Sequence, residues 1–371
     1  MDFNLTEEQA LLRDTTRDLL RSYDHETRLK VIDTELGWSR DVWSQLAEIG
    51  LLQLAYDTTE AGAIEVAVIA TELGRRLAPE PFVDAALTPG ALIAEAGDDQ
   101  QRALLDEVAA GQRLLAFAHA EPAARYPYAA VSTTATRRGD AWTLSGRKHP
   151  VPAGDSADTV VVSAALPDGG TGLFLVEAAD VRRTPFRTFD SRRGAQLDFA
   201  DTPAQPLGTG GDASDVIAGA VIRTQSALCA ESLGAMEEAL RLTTDYLKAR
   251  KQFGVTLNKF QTLTQRAADM YVSLEMARSM NLYAAMSIAG GIVDPAIASR
   301  AKLQIGRAAR HIGQEAIQLH GGIGVTAEYP VGHYVARLTA IEQTLGSSND
   351  HLHVLVEGLS DYGVVALRTE R

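Results

Sequence analysis

Apolar positions follow two rhythms along this chain, and the changes of rhythm divide it into three parts. From about Ala227 to Gly254, the positions Cys229, Leu233, Met236, Leu240, Thr243 and Leu247 recur at alternating steps of four and three. That spacing predicts one seam of a long helix packed against other helices. Glu237, Glu238, Arg241, Asp245 and Lys248 fall mostly off the seam. The pattern stops at Arg250-Lys251-Gln252-Phe253-Gly254, where a glycine and nearby cations are ordinary features of a helix C-terminus.

Upstream, Thr6-Glu7-Glu8-Gln9 is a capping-box pattern that starts a helix through Leu11, Leu12, Leu19 and Leu20. Ser39 predicts a cap for a helix from Arg40 to Ile49, stopped by Gly50. Ile64 to Leu77 predicts another, ended before Pro79 and Pro81. Ala86 to Ala109 reads as two shorter helices, so residues 1–112 form a helical domain. The rhythm then shortens. Leu114–His119, Ala130–Arg137, Ala141–Gly146, Thr159–Ala165, Gly172–Val176 and Ala195–Phe199 are brief, rich in Val, Thr, Leu and Phe, and punctuated by Gly139-Asp140 and Gly169-Gly170. They predict a middle β-domain, a barrel or sandwich, over residues 113–210, followed by a linker from Gly208 to Asp215. The helical period returns over residues 215–371: helices at Gln261–Ala289, with Met276, Met280 and Tyr283 on one face, at about Asp294–Leu319, and after Tyr334 join the first long helix. Short loops make these antiparallel neighbours, a four-helix bundle.

Composition narrows the function more than the fold. The 371 residues hold 35 Lys and Arg against 48 Asp and Glu, a net charge of −13, which argues against a nucleic-acid or anionic-membrane surface. The one cysteine, Cys229, excludes an internal disulfide, and no Cys/His set has zinc spacing. The N-terminus is acidic where a secretory signal is basic and then apolar. A cytoplasmic chain is the expectation.

A second segment changes the meaning of the helix end at Arg250: Gln318-Leu319-His320-Gly321-Gly322-Ile323-Gly324, followed by Glu328-Tyr329-Pro330. With Arg250-Lys251-Gln252-Phe253-Gly254 and Phe260-Gln261, and with helices, β-domain and bundle in this order, the whole chain resembles the acyl-CoA dehydrogenase family. Within that family it is most similar to the small subunits of pimeloyl-CoA dehydrogenases and to the paired enzymes of bacterial sterol side-chain degradation. The resemblance implies FAD, an acyl-CoA substrate and an electron-transferring flavoprotein as acceptor. It also implies that Arg250, Gln252, Phe253, Gln261, Gln318, Gly321 and Gly322 grip the ADP half of FAD across a subunit interface. A guanidinium suits a phosphate, and glycines allow close backbone approach. In this chemistry a carboxylate removes the proton α to the thioester carbonyl, while a hydride leaves the β-carbon for the flavin.

The chain departs from the family pattern where that carboxylate belongs. Counted without gaps from Arg337, the usual glutamate position is Gly346; the alternative position, near the start of the long helix, is Thr224. The β-domain loops that face the flavin ring also differ: one reads Ala120-Glu121-Pro122-Ala123-Ala124-Arg125-Tyr126, the other Pro150-Val151-Pro152, and proline has no backbone donor. These departures imply an α2β2 heteromer in which this chain lends its ADP-binding ends to a homologous partner that carries the base. The connection Tyr56–Ile64 is short and is a candidate opening of the acyl pocket. Three readings stay open beside the heteromer. The first is a self-sufficient enzyme using Glu342, one turn before Gly346, or Glu231, seven after Thr224. The others are a flavin monooxygenase relative and a non-enzymatic partner. Against Glu342 and Glu231 stands the plainer role of a buried, hydrogen-bonded acid. His351 and His353 read as packing or solvated residues, His320 as structural, and Cys229 as core.

Overall fold

Thr6 accepts from the amide of Gln9 and donates its own amide to the Gln9 side chain, so helix α1 (Glu7–Leu19) begins with the capping box its sequence contains. In the computed structural model, which describes residues 4–57, 62–124 and 131–361, seven further helices follow. They are α2 (His25–Ile32), α3 (Arg40–Glu48), α4 (Leu51–Leu54), α5 (Ala63–Arg76), α6 (Thr88–Ala96), α7 (Asp99–Arg102) and α8 (Leu104–Ala109). Ser39 caps α3 through the Val42 amide. Between α5 and α6 lies a π-helical turn, Phe82–Leu87. Residues 58–61 of the segment Tyr56–Ile64 lie outside the described residues.

Seven strands form the middle sheet: β1 (Leu115–Ala118), β2 (Thr134–Arg138), β3 (Ala141–Pro152), β4 (Thr159–Ala165), β5 (Thr171–Glu177), β6 (Arg182–Arg187) and β7 (Arg193–Pro206). Strand β4 pairs β5, β5 pairs β7, β7 pairs β3, β3 pairs β2, and β2 returns to β4 through Thr134 and Ala165, so the sheet closes on itself. Strands β3 and β7 run longer than their apolar runs predict. Register shifts between Leu144 and Gly146 and between Lys148 and Val151 carry the pairing past Gly146 and Pro150.

The last part holds α9 (Ser214–Ala249), a small hairpin of β8 (Lys251–Gln252) and β9 (Val255–Thr256), α10 (Gln261–Ala289), α11 (Pro295–His320), α12 (Val331–Gln343) and α13 (Ser348–Glu357). The bundle therefore has a fifth, shorter helix, capped by Ser347. On α10, Met280 and Tyr283 pack on the bundle core, whereas Met276 is exposed beside Tyr271 and Val272. Among the described residues no helix is long and apolar enough to cross a membrane.

One contact locks the N-terminal helices to the bundle. A Cβ built on Gly74 would lie 1.9 Å from the Glu231 carbonyl oxygen, and one on Gly234 1.8 Å from that of Thr71. Helices α5 and α9 thus touch backbone to backbone, which only glycine permits at these two positions. The apolar core above this crossing joins Ile69 and Leu73 of α5, Leu87 and Leu92, Leu115 of β1, and Val221 and Leu228 of α9. The first turns of α9 are thereby fixed against the β-domain, and a cavity remains between them.

Candidate functional site

That cavity has a volume of about 420 Å³. The π-helical turn, the segment after β1, the ends of β3 and β6, α9 and the loop between α12 and α13 all contribute to its wall. Thr224 and Gly346, far apart in sequence, both line it. The Thr224 hydroxyl bonds the Thr88 hydroxyl at 2.7 Å and the Ala220 carbonyl at 2.8 Å, the latter as donor. Gly346 has φ +98°, and a Cβ there would come within 2.9 Å of His351 Nε2.

The loop carrying Gly346 is pinned from behind. Lys302, buried in α11, donates to the carbonyls of Ile341 at 2.7 Å and Thr344 at 2.8 Å. Burial pushes the Lys302 ammonium below its ordinary pKa. The Leu345 carbonyl accepts from Gln225 at 3.1 Å and faces His351 Nε2 at 3.0 Å. His351 is buried, with its other ring nitrogen 3.1 Å from the Ser299 hydroxyl, while His353 is exposed. Among the described residues no group of three His, Cys, Asp or Glu side chains could hold a metal ion. Cys229 is buried in the bundle core, and burial raises its thiol to about 11.

The two acids named from the sequence stand outside the cavity wall. Glu342 accepts from the Ser348 amide at 2.9 Å and from Gln343 at 2.5 Å, with Arg310 at 3.8 Å. Glu231 is gripped by both arms of Arg337, at 2.7 and 2.8 Å, and by Arg192 at 2.9 Å. Arg337 also reaches Asp190 at 2.9 Å. Burial alone would raise the Glu231 pKa, but Arg337 and Arg192 outweigh it and hold the carboxyl low. A carboxylate held this way has little affinity for a proton, which is the opposite of what a base needs. Asp190 and Arg192 carried no motif in the sequence; they lie in the loop between β6 and β7 and meet Arg337 of α12 only on folding.

The β-domain wall is equally self-contained. Glu121 accepts from Lys148 at 2.8 Å, from the Thr133 amide at 2.9 Å, and from the amide and hydroxyl of Ser132. Burial opposes this charge, but those bonds outweigh it and bring Glu121 down to about 2. Lys148 is fully buried and also bonds Ser163, whose hydroxyl lies 2.8 Å from His119. Pro150 and Pro152 complete that wall; they have no amide to offer a flavin ring. Arg125 and Tyr126 lie outside the described residues. The ring half of a flavin site is therefore poorly matched here.

The other half fits. Arg250, Gln252, Phe253, Gln261, Gln318, Gly321 and Gly322 are all exposed, and none lines the cavity. They sit at one end of the bundle, because Tyr246 of α9, His320 of α11 and Tyr329 form one aromatic cluster, with Tyr246 and His320 centred 4.6 Å apart. His320 is buried and bonds the Ala316 carbonyl. The Arg250 side chain has no ion pair or hydrogen bond among the described residues. Phe253 is 91% exposed, its φ of +52° turning it outward over Phe260. A Cβ on Gly321 or Gly322 would meet nothing within 4 Å, so a phosphate or ribose has room to reach the backbone.

Asp84 is another residue of the cavity wall that the sequence reading passed over. Its signal was there: a single acid inside the apolar run Pro81-Phe82-Val83-Asp84-Ala85-Ala86-Leu87.

Comparison with known proteins covers both helical parts. Residues 6–112 match the family described as acyl-CoA dehydrogenase, N-terminal domain, and residues 216–360 that described as acyl-CoA dehydrogenase, C-terminal domain. The acyl-CoA dehydrogenase IpdE2 of Mycobacterium tuberculosis is 30% identical over 94% of this chain and 96% of its own. The short-chain specific acyl-CoA dehydrogenase of Clostridium acetobutylicum is 28% identical over 92% of this chain and 95% of its own. Among solved structures, a variant of the Tcur3481–Tcur3483 steroid ACAD superimposes with a TM-score of 0.87 at 32% identity, covering 96% of this chain and 98% of that one. The ChsE4–ChsE5 complex of M. tuberculosis shares the fold, with a TM-score of 0.88 at 24% identity over 97% and 99% of the two chains.

Proposed function

The chain belongs to the acyl-CoA dehydrogenase family, and on that premise we propose that it is the non-catalytic subunit of a heteromeric, FAD-dependent enzyme that desaturates an acyl-CoA thioester. One observation carries this reading. The two positions where the family pattern puts its base, Thr224 and Gly346, both face the cavity, and neither has a carboxylate. A threonine hydroxyl bonded to Thr88 and to Ala220 does not accept a proton from a weak carbon acid at neutral pH.

The exposed end of the bundle supports the other half of the proposal. Arg250 would take a phosphate of the ADP moiety as a planar fork, Gln252, Gln261 and Gln318 would bond its polar edges, Phe253 would cover it, and Gly321 and Gly322 would bring backbone close. These groups open outward, so the remainder of that cofactor site comes from a homologous chain, in an α2β2 assembly with two FAD molecules. When bound, FAD supplies the hydride acceptor; the base and the ring-facing donors belong to the partner. An electron-transferring flavoprotein would then reoxidise the complex. The two-chain ACADs among the structural neighbours are in keeping with such an assembly.

A self-sufficient enzyme would need Glu342 or Glu231 to leave its present bonds, and for Glu231 that means abandoning two half-buried arginines. The test is flavin stoichiometry after denaturation, on the chain expressed alone and with a homologue that has the family glutamate. Little flavin alone and one FAD per two chains together is the expected result. One FAD per chain in the isolated protein would overturn the shared site.

A further inference from the structure

The cavity holds several charged side chains, and all but one are committed. Glu121 is bonded by Lys148 and Ser132. Asp190 is bonded by Arg337 and Thr188, and Arg192 by Glu231 and the Glu80 carbonyl. Arg193 donates to the Thr34 carbonyl. Asp84 is the exception: among the described residues no donor bonds its carboxyl. Two arginines already balance Glu231 and Asp190, so Asp84 stands outside that balance. Burial raises its pKa, partly countered by Arg337 and Arg192.

Its position is a product of local structure. The turn Phe82–Leu87 is π-helical, one residue wider than an α-turn, and the Thr88 hydroxyl at its end lies 3.0 Å from the Val83 carbonyl. Such insertions re-aim side chains and recur at functional sites. Phe82, Val83, Ala85, Ala86 and Leu87 are all buried in core, and Asp84 alone of the six lines the cavity. Phe117, Phe186, Val221, Leu228 and Leu345 line the same cavity and give it much of its apolar surface. Asp84 is half-buried, and its carboxyl faces the open cavity, with no donor from the described residues.

We propose that this cavity binds a neutral, largely apolar molecule bearing a hydroxyl group, and that Asp84 is the residue that recognises that hydroxyl. A hydroxyl both donates and accepts, so it satisfies the carboxyl in either protonation state. A charged ligand would disturb a wall whose arginines and acids are already paired, and a pure hydrocarbon would give the carboxyl no donor. The hydroxyl pair of Thr88 and Thr224 lines the same cavity and extends its polar strip. This inference rests on the proposed function, in which no flavin ring occupies this cavity; flavin stoichiometry tests that reading separately from the experiment below.

The experiment uses 2-decalol and its methyl ether, which share a ring system and differ in the donor, titrated into the full chain by ligand-observed NMR. The alcohol is expected to bind the wild type about tenfold more tightly than the ether. In Asp84→Leu that preference should vanish, while the variant melts no lower than the wild type because no bond from the described residues is lost. Equal binding of the two probes, binding of neither, or a preference that survives Asp84→Leu would overturn the proposal. So would a melting point several degrees lower together with lost preference, which would make the carboxyl a structural group. Should Asp84→Leu fail to fold, Asp84→Asn decides: a preference reduced at least about threefold is expected, and an unchanged one overturns the assignment.

Discussion

Helix α9 carries two polar regions that differ in kind. Midway along it, Glu231 sits in a closed circuit with Arg337, Arg192 and, through Arg337, Asp190; every member has its partners inside the chain. At its C-terminal end, Arg250 and the hairpin that follows turn polar and aromatic groups outward, with no partner for the Arg250 side chain among the described residues. Polar groups that satisfy one another hold elements in place. Polar groups left open on rigid helix ends are available to something else. The first region ties α9 to α12 and to the β-domain; the second costs the isolated fold little and fits a ligand or a second chain.

Breaking the closed circuit should have the largest effect. Glu231→Gln leaves Arg337 and Arg192 incompletely paired in the interior, and the expected loss is about 3 kcal/mol or more, read from the urea midpoint. A change under about 1 kcal/mol would mean that water already serves these arginines. The Glu121–Lys148 pair is a second closed region and gives a pH signature. Its carboxyl is brought down to about 2 from its ordinary 4.5, so the unfolded chain binds a proton more readily than the folded one. The stability it contributes is present above pH 4.5 and is lost as pH falls towards 2. Thermal melts of Glu121→Gln should show a flatter acid limb in that window. The smallest stability change is expected at the open end: Arg250→Ala should shift unfolding by less than about 0.5 kcal/mol, yet under the proposed function the chain together with its homologue should lose most of its flavin on dialysis. If Arg250→Ala destabilised the fold as Glu231→Gln does, the contrast between the two regions would fail.

Much of this was legible along the chain because it is local. The bounds of α10, Gln261–Ala289, and of β4, Thr159–Ala165, follow the apolar pattern to the residue, and the Thr6 and Ser39 caps act as their types predict. What the pattern hid has physical causes. Helix α2 buries Arg28, which donates to the Leu77 carbonyl, so a charged residue holds a core position. Strand β6 is mostly exposed and contains Pro185, which erases its alternation. At the cavity, Thr224 and Gly346 were reachable by counting from motifs, whereas the arginine cluster is assembled from distant elements. Asp84 was hidden because a π-helical turn changes which side of a segment faces inward.

Gly346 has a consequence for repair. The loop is shaped around the absence of a side chain: φ there is +98°, the ring of His351 lies where a Cβ would need space, and Lys302 and Gln225 clamp the carbonyls beside it. A carboxylate introduced at 346 would strain the turn and press on the imidazole. Restoring function at this position therefore calls for a redesigned loop, of which the one new side chain is only a part.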